Sequence, residues 1–204
     1  MNEERHHDNR TIRPMTDRER EQVLTAVRAL PDEVDPRFSL NARRAILFLY
    51  YTGAHPEVLV HPRRRHLEVR EGRIQWYRPK TRRGMDMPVT AEMAPWVAEF
   101  VEGLREPEKH VLRTVRYTLA NGETREREQD FCYLPVTRMV ETVLREKGLP
   151  GFSPRSFRHD RAKRVLDIRH DPVDVQVYVG VSPGIVATYA GARNAQVDEA
   201  LRRE

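Results

Sequence analysis

Apolar residues recur at helical spacing through most of the chain and alternate with polar ones in one main region. Thr16-Asp17-Arg18-Glu19 has the spacing of a reciprocal N-terminal cap, and Val23, Leu24, Val27 and Leu30 line one face of the helix it opens. Pro31 and Pro36 bracket a loop. From about Asn41 a second helix runs through AILFLYY (45–51) and stops near Gly53, a C′ glycine. That run has no polar face, which predicts a buried central helix. Pro56 opens a short third helix, PEVLVH.

Alternation around Leu67–Val69 and Ile74–Tyr77 predicts two strands, with Glu71-Gly72 as the turn between them. KTRRG is a second, strongly basic turn, and MDMPV a short third strand. Helical spacing resumes at Thr90, with Trp96, Val97, Phe100, Val101 and Leu104 on one side. RTVRYTLANGETRERE predicts a hairpin turning at Asn121-Gly122, and LPVTRMVETVLREKG a helix ending at Gly148. A helix from Ser153, a short one over DPVDVQVYVG and a last one from Ser182-Pro183, carrying Tyr189, follow. The predicted fold class is α+β, mainly helical, with a small antiparallel β-sheet between residues of about 66 and 89.

The helix from Ser153 carries a conflict. Ser153 caps it and Pro154 fits its first position. Phe157, Ala162, Val165, Leu166 and Ile168 share one half of the wheel, the expected core face, and Arg155, Arg158 and Arg161 fall in the same half. Cations near a helix N-terminus oppose its dipole unless an anion is present. A phosphate would satisfy the free N–H groups, the dipole and the guanidiniums together, with Arg158 central on the arc. The competing reading is that these arginines snorkel outward or pair with carboxylates. Asp160 and Asp167, placed on the opposite face, are poor local partners.

The charge distribution extends this picture. The net charge is +5. His61–Arg83 holds nine Arg or Lys against two Glu, and Phe152–His170 six against two Asp, so the remainder is net acidic. Two basic islands predict a polyanion-binding face, with double-stranded DNA as the partner. Arg63, Arg64, Arg65, Arg82 and Arg83 are the expected contacts from the first island, His159 and Arg161 from the second. AILFLYY is too short to span a membrane, and MNEERHHDNRTIRP has no signal-peptide core, so the expected setting is cytoplasmic. The single cysteine, Cys132, excludes a disulfide framework within the chain and a Cys-rich zinc site, and is expected to be a buried small residue.

SPRSFRHDRAKRVL resembles the SPHxLRHtxAt segment of the tyrosine recombinases, the phage integrase family. YYTGAHPEVLVHPRRRHLEV, GRIQWYRPKTRRGMDMPVT and VQVYVGVSPGIVATYAG resemble three further segments of that family, in the same order. The resemblance implies a catalytic-domain fold over 16–191, preceded by a disordered polar tail (1–15) and followed by a tail or helix (192–204) that docks on a partner. It implies site-specific DNA recombination or integration without metal or other cofactor. A tyrosine attacks the phosphodiester and forms a 3′-phosphotyrosyl bond, arginines stabilise the phosphorane, and a lysine protonates the leaving oxygen. The nucleophile matches Tyr189, the lysine Lys80 and the second arginine Arg158. The first arginine is His55 here, a basic Arg155 replaces the histidine three before Arg158, and Val181 replaces the last histidine. The quarter near His55 and Val181 is therefore expected to lack cationic donors unless Arg155 reaches across. The resemblance also implies a missing N-terminal clamp domain, supplied by self-association on DNA or by a partner.

Two alternatives stand beside this reading. A family member whose catalysis has decayed would bind DNA as an accessory or regulatory factor. The His159-Asp160 and His170-Asp171 dipeptides suggest a metal-dependent phosphohydrolase, but no further ligand positions are marked, and His6-His7 is incidental. Among the other tyrosines, Tyr50 and Tyr51 belong to the core and Tyr178 to helix packing, whereas Tyr189 follows a Ser-Pro-Gly turn that suits an exposed phenol.

Overall fold

In the computed structural model, helix α2 (Ala42–Thr52) is the central element. The structure describes residues 14–38, 40–61, 66–78, 80, 82–105, 113–118, 122–129, 133–181 and 186. Asn41 caps α2 by accepting from the Arg44 N–H, and Gly53 ends it in the left-handed region at φ 63°. Ala45, Ile46, Leu47, Phe48 and Leu49 are each at most 1% exposed, as the unbroken apolar run predicts. Arg43 and Arg44 stay on its N-terminal turn and pair with Glu99 and Asp32.

Around α2 pack α1 (Asp17–Arg28), α4 (Ala94–Arg105), α5 (Leu134–Glu146) and α6 (Pro154–Arg169). The Thr16–Glu19 capping box opens α1, and Val23, Leu24 and Val27 are its buried face. Phe48 meets Trp76 and Phe100 edge-on, each with centroids 6.1 Å apart. A one-turn α3 (Glu57–Val60) follows Pro56. Helix α7 (Pro172–Val179) packs on the C-terminal half of α6. Ala162, Val165, Leu166, Val175, Val179, Val181 and Val186 form a second apolar cluster there. Val181 serves packing and is 7% exposed.

The predicted sheet is present and antiparallel. Strands β3 (Glu68–Arg70), β4 (Arg73–Arg78) and β5 (Arg83–Pro88) pair in that order. Glu71 and Gly72 both take positive φ, 51° and 70°, as a two-residue hairpin turn requires. Ile74 faces Met87 and Trp76 faces Met85 across the ladder, all four buried. The later hairpin is also formed, by β6 (Arg113–Thr118) and β7 (Thr124–Gln129).

Three expectations need correction. The loop bracketed by Pro31 and Pro36 contains a minimal ladder, β1 (Val34–Asp35) with β2 (Leu40–Asn41), too short to show alternation in sequence. Ile168 is 72% exposed, because it lies in the last turn of α6, beyond the neighbours that cover Val165 and Leu166. Asp160 is only 2% exposed. It accepts from the Met15 N–H at 3.0 Å and pairs with Arg20, so residues at the start of α1 reach the face of α6 that the helical wheel assigned to solvent. Among the described residues, no helix is long and apolar enough to cross a membrane.

Candidate DNA-cleavage site

Two helix C-termini and one strand end meet at the N-terminal half of α6. Gly53 closes α2 and Gly180 closes α7, both left-handed, so their carbonyl oxygens carry the negative ends of two helix dipoles. Arg158 bridges them. Its Nη1 donates to the Gly53 carbonyl at 2.9 Å and its Nη2 to the Gly180 carbonyl at 2.7 Å. This answers the conflict on α6 for its central arginine. Two carbonyl dipoles fix the guanidinium in place.

His55 lies three residues beyond the end of α2. Its ring meets Tyr133 edge-on, with centroids 4.7 Å apart. Burial lowers its pKa to about 4, reinforced by the positive charges of Arg158, Arg78 and Lys80 in that order. His55 is therefore neutral at pH 7 and cannot stand in for an arginine. Its Nδ1 accepts from the Glu57 N–H at 3.3 Å, which puts the ring proton on Nε2 and makes that atom a donor. The Glu57 carboxylate lies 3.8 Å from Nδ1, but with a neutral ring this is no ion pair.

The third cation, Arg78, lies in a family-like segment but at a position to which the resemblance gives no role. It ends β4, opposite Arg83. Its guanidinium lies against Gly180, with Cζ 3.1 Å from where a Cβ on that glycine would stand and Nη1 closer still. Burial pulls its pKa down, partly offset by Glu57. The quarter near His55 and Val181 was expected to lack cationic donors, and Arg78 corrects this. A sequence signal existed: Ile74 and Trp76 point inward, so period two turns residue 78 to the same face.

Among the other predicted residues, Lys80, Arg82 and Arg83 are exposed around the β4–β5 turn. Arg155 is exposed, and its charge acts, after burial, to lower the pKa of the half-buried His159. Arg161 points elsewhere. Its Cβ lies 3.0 Å from where a Gly53 Cβ would stand, and burial lowers its pKa to about 10, with Arg164 adding to the shift and Glu92 opposing it. Tyr50 and Tyr51 are core residues at 3% and 2% exposure, and Tyr178 packs partly buried against both clusters. Tyr189, Arg63, Arg64, Arg65 and Cys132 lie outside the described residues. Among the described residues no group of three or more His, Cys, Asp or Glu is placed to hold a metal ion, and Asp160 is committed to Arg20. A cleft of about 450 Å³ beside Tyr50 is lined by both signs of charge, with Arg164 paired to Glu92.

The chain matches no protein-family model and no curated protein sequence. Its architecture does have solved counterparts. The XerH site-specific recombinase, bound to a palindromic difH substrate in a post-cleavage complex, superposes with a TM-score of 0.63 over 97% of this chain, at 18% identity. The chain has the fold of a tyrosine recombinase catalytic domain. XerA recombinase gives a TM-score of 0.59 at 17% identity over 92% of the chain. The Tn1549 transposon integrase, in complex with a circular intermediate DNA, gives 0.56 at 15% identity over 92%. The chain spans 55% of the matched XerH chain and 65% of each of the other two. Of the residues the sequence singled out, Arg158 lies on α6, Lys80 between β4 and β5, and His55 just after α2.

Proposed function

We propose that this protein binds double-stranded DNA and cleaves and rejoins it in the manner of a tyrosine recombinase, acting in site-specific recombination or integration. One observation carries the reading: Arg158 and Arg78 both lie against Gly180, the residue that ends α7, and Lys80 follows two residues after Arg78. Such a concentration of positive charge suits a phosphodiester whose negative charge grows in the transition state. The structural neighbours bound to DNA support the same partner.

In the proposed reaction the phenolic oxygen of Tyr189 attacks the scissile phosphorus. A 3′-phosphotyrosyl bond forms, the bond from phosphorus to O5′ breaks, and Lys80 gives its proton to the departing O5′. The phenol proton passes to a neutral imidazole. His159 qualifies, since burial and neighbouring arginines hold it below its ordinary pKa, whereas the unprotonated nitrogen of His55 already accepts from the Glu57 N–H. Arg158 stabilises the phosphorane, and Arg155 and the basic β4–β5 turn hold the flanking backbone. Rejoining is the reverse attack by a 5′-hydroxyl. Self-association on DNA, or a partner, completes the grip on the duplex.

A second reading has its own support. A neutral His55 and a buried, proton-inert Val181 remove two groups the chemistry ordinarily uses. A DNA-binding accessory factor would keep the basic face and lose cleavage. The deciding experiment is a suicide duplex nicked beside the candidate site. A denaturation-resistant protein–DNA adduct, present for wild type and absent for Tyr189→Phe, supports cleavage. DNA binding with no adduct supports the accessory role.

A further inference from the structure

We infer that Arg78 supplies the cationic contact to the scissile phosphate that the first-arginine position, His55, does not. This rests on the DNA-cleavage reading and names for that site a residue to which the resemblance gives no role.

The geometry begins at one peptide. Gly180 presents its carbonyl to Arg158 and its bare Cα to Arg78. Two guanidiniums thus lie against a single residue. Half-burial of Arg78 carries a desolvation cost. Other partly buried arginines resolve that cost with a carboxylate: Arg20 with Asp160, Arg43 with Glu99, Arg44 with Asp32. Among the described residues none lies within ion-pair distance of Arg78, and Glu57 acts on it only through a longer-range attraction. A bound phosphate oxygen on Arg78 would offset that cost.

Backbone geometry fits the same role. Gly180 is left-handed at φ 68°, and any Cβ there would stand where the Arg78 guanidinium lies. Arg78 comes from β4, and Lys80 follows two residues later, so one strand end delivers both cations. The side chain that replaces the missing charge therefore comes from the sheet, whereas the motif would have placed it just after α2.

The test couples the protein to the phosphate. A set of nicked duplexes carries one uncharged methylphosphonate, moved stepwise across the cleavage region, and binding is measured for wild type, Arg78→Gln and Arg78→Lys. Wild type should lose affinity at one position. Arg78→Gln should bind the parent duplex more weakly and be indifferent to methylphosphonate at that position. Arg78→Lys, which keeps the charge, should retain part of the coupling and controls for folding. Where wild type forms adduct, Arg78→Gln should slow it by ~10²–10³ and His55→Arg in the Arg78→Gln background should recover most of it. Equal methylphosphonate sensitivity in wild type and Arg78→Gln overturns the proposal, as does adduct formation by Arg78→Gln at the wild-type rate. Coupling without any wild-type adduct upholds Arg78 as the phosphate contact and sinks the cleavage reading alone.

Discussion

Arg158 donates to the Gly180 carbonyl at 2.7 Å while its other terminal nitrogen holds Gly53 at 2.9 Å, so one side chain ties the ends of α2 and α7 together. Arg158→Lys keeps the charge but cannot reach two separated acceptors in a fixed fork. A half-buried carbonyl left unmet costs about 1–3 kcal/mol. The variant should show a lower urea midpoint and a large loss of adduct formation together. A variant as stable as wild type would mean that the two carbonyl bonds are incidental.

The glycines that accept from Arg158 should respond differently to substitution. Gly53→Ala forces a Cβ to 3.0 Å from the Arg161 Cβ and 3.2 Å from Val179, both on packed helices. With the left-handed penalty of about 1–2 kcal/mol added, it should be strongly destabilised. At Gly180 the Cβ meets mainly the end of the Arg78 side chain, which can swing away. Gly180→Ala should pay about the same left-handed penalty, fold, and lose phosphate contact because Arg78 is displaced. Thermal melting together with DNA binding separates the two outcomes.

Arg20 and Asp160 form a mostly buried pair that fastens the start of α1 to α6. Burial raises the Asp160 pKa, and Arg20 opposes that rise. Arg20→Ala leaves an uncompensated buried charge and should cost about 3–5 kcal/mol. Asp160→Asn should cost less, since its oxygen still accepts from the Met15 N–H. Chemical denaturation of the two variants checks the order. The reverse order would remove the pair from the account of stability.

His55 should impose a pH dependence on stability. The unfolded imidazole takes up a proton below about pH 6.5, the folded one only below about 4. Between these values the unfolded state binds more protons, so stability is complete above pH 6.5 and falls as pH drops toward 4. His55→Gln should lose less stability than wild type between pH 7 and pH 4.5. Parallel loss in both proteins would place the acid sensitivity elsewhere.

Much of this architecture was legible in the order of residues. The Thr16–Glu19 cap, the apolar run at 45–51, the Glu71-Gly72 turn and the Ser153-Pro154 helix start are local devices, each set by a few neighbouring residues. Arg158 stood out for the same reason, as a cation placed on an apolar arc near a helix N-terminus. The tertiary structure decided what those side chains meet. Asp160 looked solvated because a helical wheel cannot include α1, which lies 140 positions away in sequence along the Arg20 contact. Ile168 looked buried because periodicity does not say where a core ends. Arg78 joined the site only because β4 ends over Gly180, a glycine about a hundred residues further along the chain. Sequence fixes the spacing of groups along one element, but a phosphate-sized site is set by distances between elements, and those follow from packing.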